Sequence, residues 1–286
     1  MKISGFTFIR NGVELDYPFI ESITSVLPAV DEMVIVVGDC SDGTKEKILA
    51  LQDPKIRIIN TVWDESLRKG GEILAQQTNI ALDHITGDWG FYIQGDEVIH
   101  EKYLENVRSA LQKWNDHPEV EGLLFHYHHF YGSYEYIGTS RKWYRREIRI
   151  VRNDRSIRSY KDAQGFRKNG KKLQVKAVDA YIYHYGWVRD PKAQLKKNVS
   201  FNKYWHDDEW IAEHVDATSF DYDLLESLDR FEGTHPAVMK DRIVSKNWKF
   251  SYDPSKKRMS FKEKLSFWIE KLFGWRPGEY KNYTLR

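Results

Sequence analysis

The chain of 286 residues has very little cysteine and no long apolar run. Its single cysteine, Cys40, excludes an intramolecular disulfide and a zinc site built from several cysteines, and such sparse usage is typical of a reducing compartment. No apolar stretch approaches the roughly 18 residues that a membrane-spanning helix requires, and the first residues lack the apolar core and cleavage site of a leader peptide. The sequence therefore predicts a cytoplasmic protein.

An excess of charge of one sign is also missing. The chain has 44 lysine and arginine residues against 42 aspartate and glutamate residues, so no global charge favours nucleic acid or a membrane. Basic residues do concentrate between positions 141 and 172, where Trp143 and Tyr144 lie among them. Because phosphates attract basic side chains and bases stack on aromatic rings, a nucleic-acid surface stays open as an alternative function.

Aromatic residues, by contrast, are abundant and make up 14% of the chain. This content suits the stacking of carbohydrate rings as well as an aromatic protein core, and composition alone does not distinguish the two. A non-catalytic sugar-binding module is therefore a second alternative function.

The order of the predicted elements indicates the fold class. The first hundred residues alternate short apolar runs with helical patterns, and the predicted strands are 3–9, 34–37, 56–59 and 89–93. This βαβαβαβ order predicts an α/β fold with a mainly parallel central sheet flanked by helices. Beyond residue 120, extended aromatic-rich stretches predict added antiparallel strands, and helical patterns resume near residue 191.

Two acidic loops follow predicted strands. Asp39 comes after the second strand and Asp96 after the fourth. Because ligands of open α/β sheets bind outside the carboxyl ends of the strands, we expect both loops to face one site. The alternative is helix capping, by Ser41 or Asp42 in the first loop and by Asp96 and Glu97 in the second.

Three ordered stretches resemble family 2 glycosyltransferases of the GT-A type. They are VIVVGDCSDGT (34–44), GDWGFYIQGDEVIHEKYL (87–104) and YIYHYGWVRDPKAQLKKN (181–198). The resemblance covers roughly the first 200 residues and implies a Rossmann-like GT-A domain over 1–205. Within it, 1–115 would hold the nucleotide and 116–205 the acceptor. Residues 206–286 would then form a helical C-terminal extension packed on this domain.

The resemblance also implies a nucleotide site. Asp39 matches the aspartate that takes the nucleobase edge, a role that suits a hydrogen-bond acceptor. Gln94 stands at the first position of the family's Asp-x-Asp signature and would bind the ribose, while Asp96 matches the second, metal-binding aspartate. Lys69 precedes a helix that often contacts the nucleotide. Carboxylate oxygens suit Mg²⁺ or Mn²⁺, and because Gln94 adds no charge, we expect weak metal affinity without the donor.

The third stretch resembles the segment in which related enzymes place a histidine near metal and diphosphate. His184 is the matching histidine, and Arg189 and Lys197 would neutralise phosphate charge. The alternative is a structural histidine at a strand end. His126 and His128 share a strand face, but no spaced acidic partner accompanies them, which favours an aromatic core strand over a metal site.

An inverting transfer requires a general base for the acceptor hydroxyl. Asp162, in SYKDAQGF, is the candidate, and Glu147 and Asp179 are its rivals. The predicted activity is transfer of a sugar from a UDP- or GDP-sugar to an acceptor hydroxyl, assisted by a divalent metal. The acceptor would be a glycan or a lipid-linked molecule in the synthesis of cell-surface polysaccharide or glycoconjugate.

The segment 256–275 combines lysines with apolar residues at helical spacing. Phe261, Leu265, Trp268 and Leu272 recur on one side of the predicted helix. Such a helix can lie in the headgroup region of an anionic bilayer, which would place the enzyme peripherally at the inner face of the membrane. The alternative is that the same apolar stripe packs on the catalytic domain.

Overall fold

Strands and helices alternate through the first hundred residues, as the sequence predicts. The computed structural model describes residues 1–215, 218–222, 227–253, 261–274, 276 and 278–286. Its strands are β1 (Ile3–Ile9), β2 (Glu32–Val37), β3 (Ile56–Asn60), β4 (Trp89–Tyr92), β5 (Glu97–Ile99), β6 (Gly122–Tyr131), β7 (Ser133–Gly138), β8 (Arg146–Arg152), β9 (Ile157–Ser159), β10 (Phe166–Lys168), β11 (Lys171–Lys172), β12 (Gln174–Trp187), β13 (Leu228–Arg230) and β14 (Thr284–Leu285). Its α-helices are α1 (Phe19–Val26), α2 (Thr44–Leu49), α3 (Glu72–Asp83), α4 (Leu104–Trp114), α5 (Pro191–Asn202), α6 (Asp208–His214), α7 (Lys240–Val244) and α8 (Phe261–Phe273).

The first four strands form the parallel part of the main sheet, in the order β4-β1-β2-β3. The run of valine and isoleucine in β2 is buried on both faces of the sheet. Met33, Ile35 and Val37 pack into the core on one face, whereas Val34 and Val36 pack into the core on the other. Burial on both sides explains why this strand is continuously apolar and does not alternate.

Antiparallel strands extend the sheet beyond β4. β8 pairs antiparallel with β4, and β6 pairs antiparallel with β8. The long strand β12 then runs parallel to β6 and antiparallel to the short strand β5. The β5 pairing sets His184 opposite Glu97, which brings the third family-like stretch against the acidic loop at Asp96.

The tail beyond residue 205 contributes strands as well as helices. β13 pairs with β7, and β14 pairs with β12, so two segments of the tail join the main sheet. The predicted boundary at residue 205 stays a prediction. No helix in the described part of the chain is both long enough and apolar enough to cross a membrane.

Helix α8 leaves five of its apolar side chains exposed to solvent. Ser266 is buried and accepts a hydrogen bond from Arg141, while Glu270 binds Arg145 at 2.8 Å. Polar contacts therefore hold the described part of this helix against the domain. Its exposed apolar side chains are Leu265, Phe267, Trp268, Leu272 and Phe273. Lys256, Lys257 and Arg258, which the prediction for this segment includes, lie outside the described residues.

Candidate active site

A cavity of about 320 Å³ lies at the carboxyl ends of β1 and β4. Five of the predicted site residues line it: Gln94, Asp96, Asp162, His184 and Lys197. These residues come from three separate parts of the chain, and the sheet topology brings them to one edge.

Asp96 lies at the buried end of this cavity, in the turn between β4 and β5. Its Oδ2 atom is 3.3 Å from Lys197 Nζ and 3.8 Å from His184 Nε2. Burial by itself raises the pKa of this carboxyl, but the positive charges of Lys197 and Arg189, together with His184, outweigh burial and lower the pKa to about 2. Asp96 is therefore an ionised carboxylate throughout the physiological pH range.

Helix α5 supplies Lys197. The helix begins at Pro191, and the Asp190 side chain caps it by accepting a hydrogen bond from Lys192 N at 2.8 Å. Lys197 Nζ donates to the carbonyl oxygen of Gly186 at 2.8 Å as well as to Asp96. Burial, reinforced by the charge of Arg189, lowers the pKa of Lys197 from its usual range, whereas the Asp96 carboxylate raises it and favours the charged form.

Arg189 lies behind Asp96 and Lys197 and does not line the cavity. Its side chain is fully buried and donates to the carbonyl oxygens of Leu15 at 2.5 Å and Gly186 at 3.1 Å. The guanidinium also lies over the Tyr17 ring, 4.7 Å from its centroid. Arg189 thus contributes positive charge to the site without facing the cavity. A direct contact between Arg189 and a phosphate would require the residues around its guanidinium to rearrange.

Asp96 and His184 offer two donor atoms of a kind that a divalent cation accepts, and Lys197 Nζ lies 3.3 Å from the same Asp96 oxygen, so a cation there would displace this hydrogen bond. Mainly because of burial, the pKa of His184 is lowered, so its imidazole is neutral. A carboxylate oxygen and a neutral imidazole nitrogen are ligands that Mn²⁺ accepts. Within the described residues no cluster of three or more histidine, cysteine, aspartate or glutamate side chains is arranged to hold a metal. The remaining ligands would therefore be diphosphate oxygens and water.

Asp162 lies in a loop with unusual backbone geometry. The residues on either side of it, Lys161 and Ala163, both have positive φ angles, 54° and 60°. Left-handed geometry at residues other than glycine is costly and persists only where the surrounding structure fixes it. Opposite the loop, Gly71 lies so close that an added Cβ would be 2.8 Å from Asp162 Cα.

The two rivals of Asp162 do not line the cavity. Glu147 is 1% exposed and accepts hydrogen bonds from Gln164 and Asn282, and burial raises its pKa to about 7. Asp179 is exposed on β12. Of the three candidate bases, only Asp162 therefore borders the space that a substrate can enter.

Asp39 lines neither the main cavity nor a second cavity of about 270 Å³, but it contacts Arg10 and Trp63, which line both. Its side chain is 42% exposed; Oδ1 accepts from Trp63 N at 3.1 Å and Oδ2 pairs with Arg10 at 3.2 Å. Arg10, Trp63 and Tyr204 line both cavities. Lys69 is exposed in the loop before α3 and lines neither of the two. The nucleotide contact predicted for Lys69 stays a prediction.

Sequence reasoning missed Arg10 and Trp63. Arg10 follows β1 directly, at the same sheet edge as Asp39, and this position is the signal that could have found it. The Trp63 Nε1 atom is buried with no hydrogen-bond partner among the described residues, although such donors are normally satisfied. The local sequence around Trp63 carries no comparable signal.

A fully buried ion pair lies beneath the Asp96 turn. Arg149 Nη2 is 2.6 Å from Glu97 Oε1, and both side chains are completely buried. Glu97 Oε2 also accepts from the backbone N–H of Gln94 at 3.1 Å, so the pair fixes the turn that carries Gln94 and Asp96. Arg149 additionally donates to the carbonyl oxygen of Gln164 at 2.9 Å, which links the turn to the Asp162 loop.

Part of the positive charge of the basic segment 141–172 is paired with acidic side chains. Arg145 pairs with Glu270 and Glu279, and Lys168 pairs with Glu121 and Asp154. Such pairing lowers the positive charge that these residues offer to phosphates. The geometry does not favour the nucleic-acid alternative.

Comparison with known proteins identifies the class of the enzyme. Residues 18–175, more than half of the chain, match the sequence profile described as Glycosyl transferase family 2. The protein is therefore a glycosyltransferase. It belongs to glycosyl transferase family 2, and the predicted GT-A fold and enzyme class are confirmed. A comparison with curated proteins gives no significant match.

Solved structures similar to this chain include a mannosyltransferase, and the chain spans less than two thirds of the length of each of the following three. S. aureus TarS is 14% identical with a TM-score of 0.42, and the match covers 70% of this chain and 39% of that chain. TarS 1–349 in complex with UDP is 14% identical with a TM-score of 0.41, covering 68% and 63%. Mannosyltransferase PcManGT from Pyrobaculum calidifontis, in complex with GDP-Man and Mn²⁺, is 21% identical with a TM-score of 0.32, covering 43% and 34%.

Proposed function

We propose that this glycosyltransferase moves a sugar from a UDP- or GDP-sugar to an acceptor hydroxyl with inversion, in the synthesis of cell-surface polysaccharide or glycoconjugate. The single observation that supports this most is the cavity that Gln94, Asp96, Asp162, His184 and Lys197 line together. It combines an ionised carboxylate and a buried cation at one end with a second carboxylate in a constrained loop.

The nucleoside would bind toward Asp39 and Arg10. Asp39 offers carboxylate oxygens to the edge of the base, and Gln94 offers an amide to the ribose. The second cavity shares the lining residues Arg10, Trp63 and Tyr204 with the main cavity, and Asp39 pairs with Arg10 at their border. A nucleoside diphosphate would therefore extend from Asp39 toward Asp96.

The diphosphate would lie against Lys197, Asp96 and His184. Lys197 presents a buried cation beside Asp96, and Arg189 adds positive charge from behind. A divalent cation bound to Asp96 and His184 would offset charge on the leaving nucleotide. Preorganised positive charge of this kind stabilises the departing diphosphate without reorganisation during the reaction.

The acceptor would bind in the main cavity, which Asp162, Trp143 and Trp187 all line. Trp143 and Trp187 line the cavity near the histidines and offer flat apolar faces of the kind that carbohydrate rings stack on. In its ionised form Asp162 would take the proton from the attacking hydroxyl. The fixed backbone on both sides of Asp162 would hold the carboxylate in position for this step.

Turnover of defined donors tests the proposal. Purified protein is incubated with single UDP- and GDP-sugars, Mn²⁺ and a hydroxyl-bearing glycan or lipid-linked acceptor, and the nucleoside diphosphate released is measured. We expect release from one donor class that depends on the acceptor and is lost in Asp96→Ala. A protein that binds these donors but turns over none of them with any acceptor would instead support the sugar-binding module.

We also propose that α8 contacts an anionic bilayer. Its exposed apolar side chains, including Trp268 at 60% and Leu272 at 54% exposure, lie in a helix whose sequence also contains Lys262, Lys264 and Lys271. An interfacial helix combines an apolar face with lysines that attract anionic headgroups. The enzyme would then act at the inner face of the membrane, close to a lipid-linked acceptor.

Co-sedimentation with vesicles measures this contact. We expect the full chain to pellet with phosphatidylglycerol vesicles at low salt, and the variant Trp268→Ser with Leu272→Ser to stay in solution, since each exposed apolar side chain adds to the burial energy. Phosphatidylcholine vesicles, which are not anionic, are the control for the lipid. Donor turnover that is unchanged in the variant is the control for its folding. Equal pelleting of both proteins would contradict the proposal. Self-association of the full chain without lipid, if the same two substitutions abolish it, would contradict the proposal as well.

A further inference from the structure

The loop that carries Asp162 joins two paired strands. β9 and β10 are antiparallel, and the pair Ser159 and Phe166 closes the loop 160–165 between them. Asn79 on α3 holds the base of this loop, because its side chain accepts from Ser159 N at 2.8 Å and donates to the Ser159 carbonyl oxygen at 3.0 Å. The base is thus fixed to α3, and the direction of Asp162 depends on the contacts of the loop itself.

Asn282, just before β14, contacts this loop on both sides of Asp162. Its Oδ1 atom accepts a hydrogen bond from the Tyr160 hydroxyl at 2.6 Å. Gly165, at the other end of the loop, lies so close that an added Cβ would overlap the Asn282 amide nitrogen. A single side chain from a distant part of the chain therefore meets the loop before and after the proposed general base.

The main sheet holds Asn282 in place. The residue is 5% exposed, and its Nδ2 atom donates to Glu147 Oε2 on β8 at 3.3 Å, an acceptor that Glu147→Gln would keep. The next residue, Tyr283, is buried in the hydrophobic core, and β14 then pairs with β12. Asn282 is therefore a rigid support, because the strands on which it rests belong to the core of the domain.

Two further side chains hold the part of the loop that follows Asp162. Gln94 Nε2 donates to the carbonyl oxygen of Ala163 at 3.4 Å, and Arg149 Nη1 donates to that of Gln164 at 2.9 Å. Both contacts act on backbone atoms C-terminal to Asp162. The direction of the carboxylate also depends on what holds the backbone before it.

Asn282 supplies a contact on that preceding side, through Tyr160. The backbone at Lys161 and Ala163 is left-handed, which is a costly conformation that persists only where the surroundings hold it. Without the hydrogen bond from Tyr160 to Asn282, the segment before Asp162 would have more freedom to relax toward an ordinary conformation. The Asp162 carboxylate would then move with it.

We propose that Asn282 is a positioning residue that holds the loop 160–165 so that the Asp162 carboxylate keeps its direction into the main cavity. The inference rests on the proposed role of Asp162 as general base. A base must stay within hydrogen-bond reach of the proton that it takes, and a displacement of about 1 Å can lower the rate by about 100-fold.

Steady-state kinetics of Asn282→Ala tests the positioning role. We expect kcat for transfer to fall by about 10- to 100-fold. The KM for the donor should stay as in the wild type, because Asp39, Asp96 and Lys197 are unchanged. Rates are expressed per folded enzyme, counted by nucleotide binding, so a loss of stability alone does not lower them. Thr284→Ala, an exposed change on the neighbouring strand, is the control and should keep its kcat.

Tyr160→Phe removes the same hydrogen bond from the side of the loop. Because the effects of residues in contact are not additive, we expect kcat of the double variant with Asn282→Ala to be no lower than that of Asn282→Ala alone. Two independent, additive losses would overturn the inference. If Asn282→Ala does not fold, Tyr160→Phe alone is compared with the wild type, and an unchanged kcat overturns the inference.

Hydrogen exchange of the ligand-free protein provides a readout that does not depend on turnover. The Ala163 amide donates to the Tyr160 carbonyl oxygen at 3.2 Å within the loop. We expect this amide to lose protection in Asn282→Ala and to keep it in Thr284→Ala. Unchanged protection together with an unchanged kcat would overturn the inference. If the wild type turned over no donor, the proposed function would fail, and the protection of Ala163 would still decide whether Asn282 holds the loop.

Discussion

Replacing Asp162 with asparagine is expected to lower the rate of sugar transfer by about 10²- to 10⁴-fold, the usual cost of removing a general base. Asparagine keeps the shape of the side chain but has no carboxylate to accept the proton of the acceptor hydroxyl. Because Asp39, Asp96 and Lys197 are unchanged, the affinity for the nucleoside diphosphate should stay as in the wild type. Initial rates with a turned-over donor, together with calorimetry of UDP or GDP binding, measure the two effects separately.

Matched variants of the rival carboxylates are the controls for this result. Glu147→Gln and Asp179→Asn change the same chemical group outside the cavity and should retain transfer. Full transfer by Asp162→Asn, combined with loss of transfer in one of these two variants, would assign the general base to that rival.

Replacing Arg149 with methionine is expected to lower the free energy of unfolding by about 3–5 kcal/mol. The substitution leaves the Glu97 carboxylate buried without its ion-pair partner, and the penalty for such a charge exceeds the loss of the contact itself. It also removes the hydrogen bonds from Arg149 to the carbonyl oxygens of Ile148 and Gln164. Urea denaturation followed by circular dichroism measures the change.

The double variant Glu97→Leu with Arg149→Met is the control for the buried charge. Since it removes both ionised groups, it should recover much of the stability that the single variant loses. A loss of less than about 1 kcal/mol in Arg149→Met, as at an exposed ion pair, would contradict the structural role of this pair.

The parallel half of the fold follows from local patterns in the sequence. A run of β-branched residues such as the one in β2 predicts a buried strand. Short apolar runs that alternate with helical patterns predict a parallel sheet. That arrangement then places whatever follows a strand at one edge. For this reason Asp96 could be assigned to the cavity before its neighbours in space were known.

Contacts between distant residues could not be predicted in the same way. Glu97 and Arg149 are 52 positions apart, and Arg10 and Asp39 are 29 apart, so no periodic pattern connects either pair. From sequence alone, an arginine in a strand, such as Arg149, resembles any other until its partner in space is known. The packing of the sheet, and not the local sequence, makes it a buried structural residue.

The orientation of α8 shows a further limit of sequence patterns. Periodicity indicates which residues of a helix share a face, but it does not indicate which face the domain covers. Here Ser266 and Glu270 meet Arg141 and Arg145, and these polar contacts leave the apolar face exposed.

Calorimetric titration with UDP and with GDP, with Mn²⁺ and with EDTA, is the most direct test of the central claim that Asp96 organises a metal-assisted nucleotide site. For the wild type we expect binding of one nucleotide that weakens when EDTA removes the metal. For Asp96→Ala we expect weaker binding that EDTA no longer changes. Equal affinity and an equal response to metal in the wild type and Asp96→Ala would contradict the account.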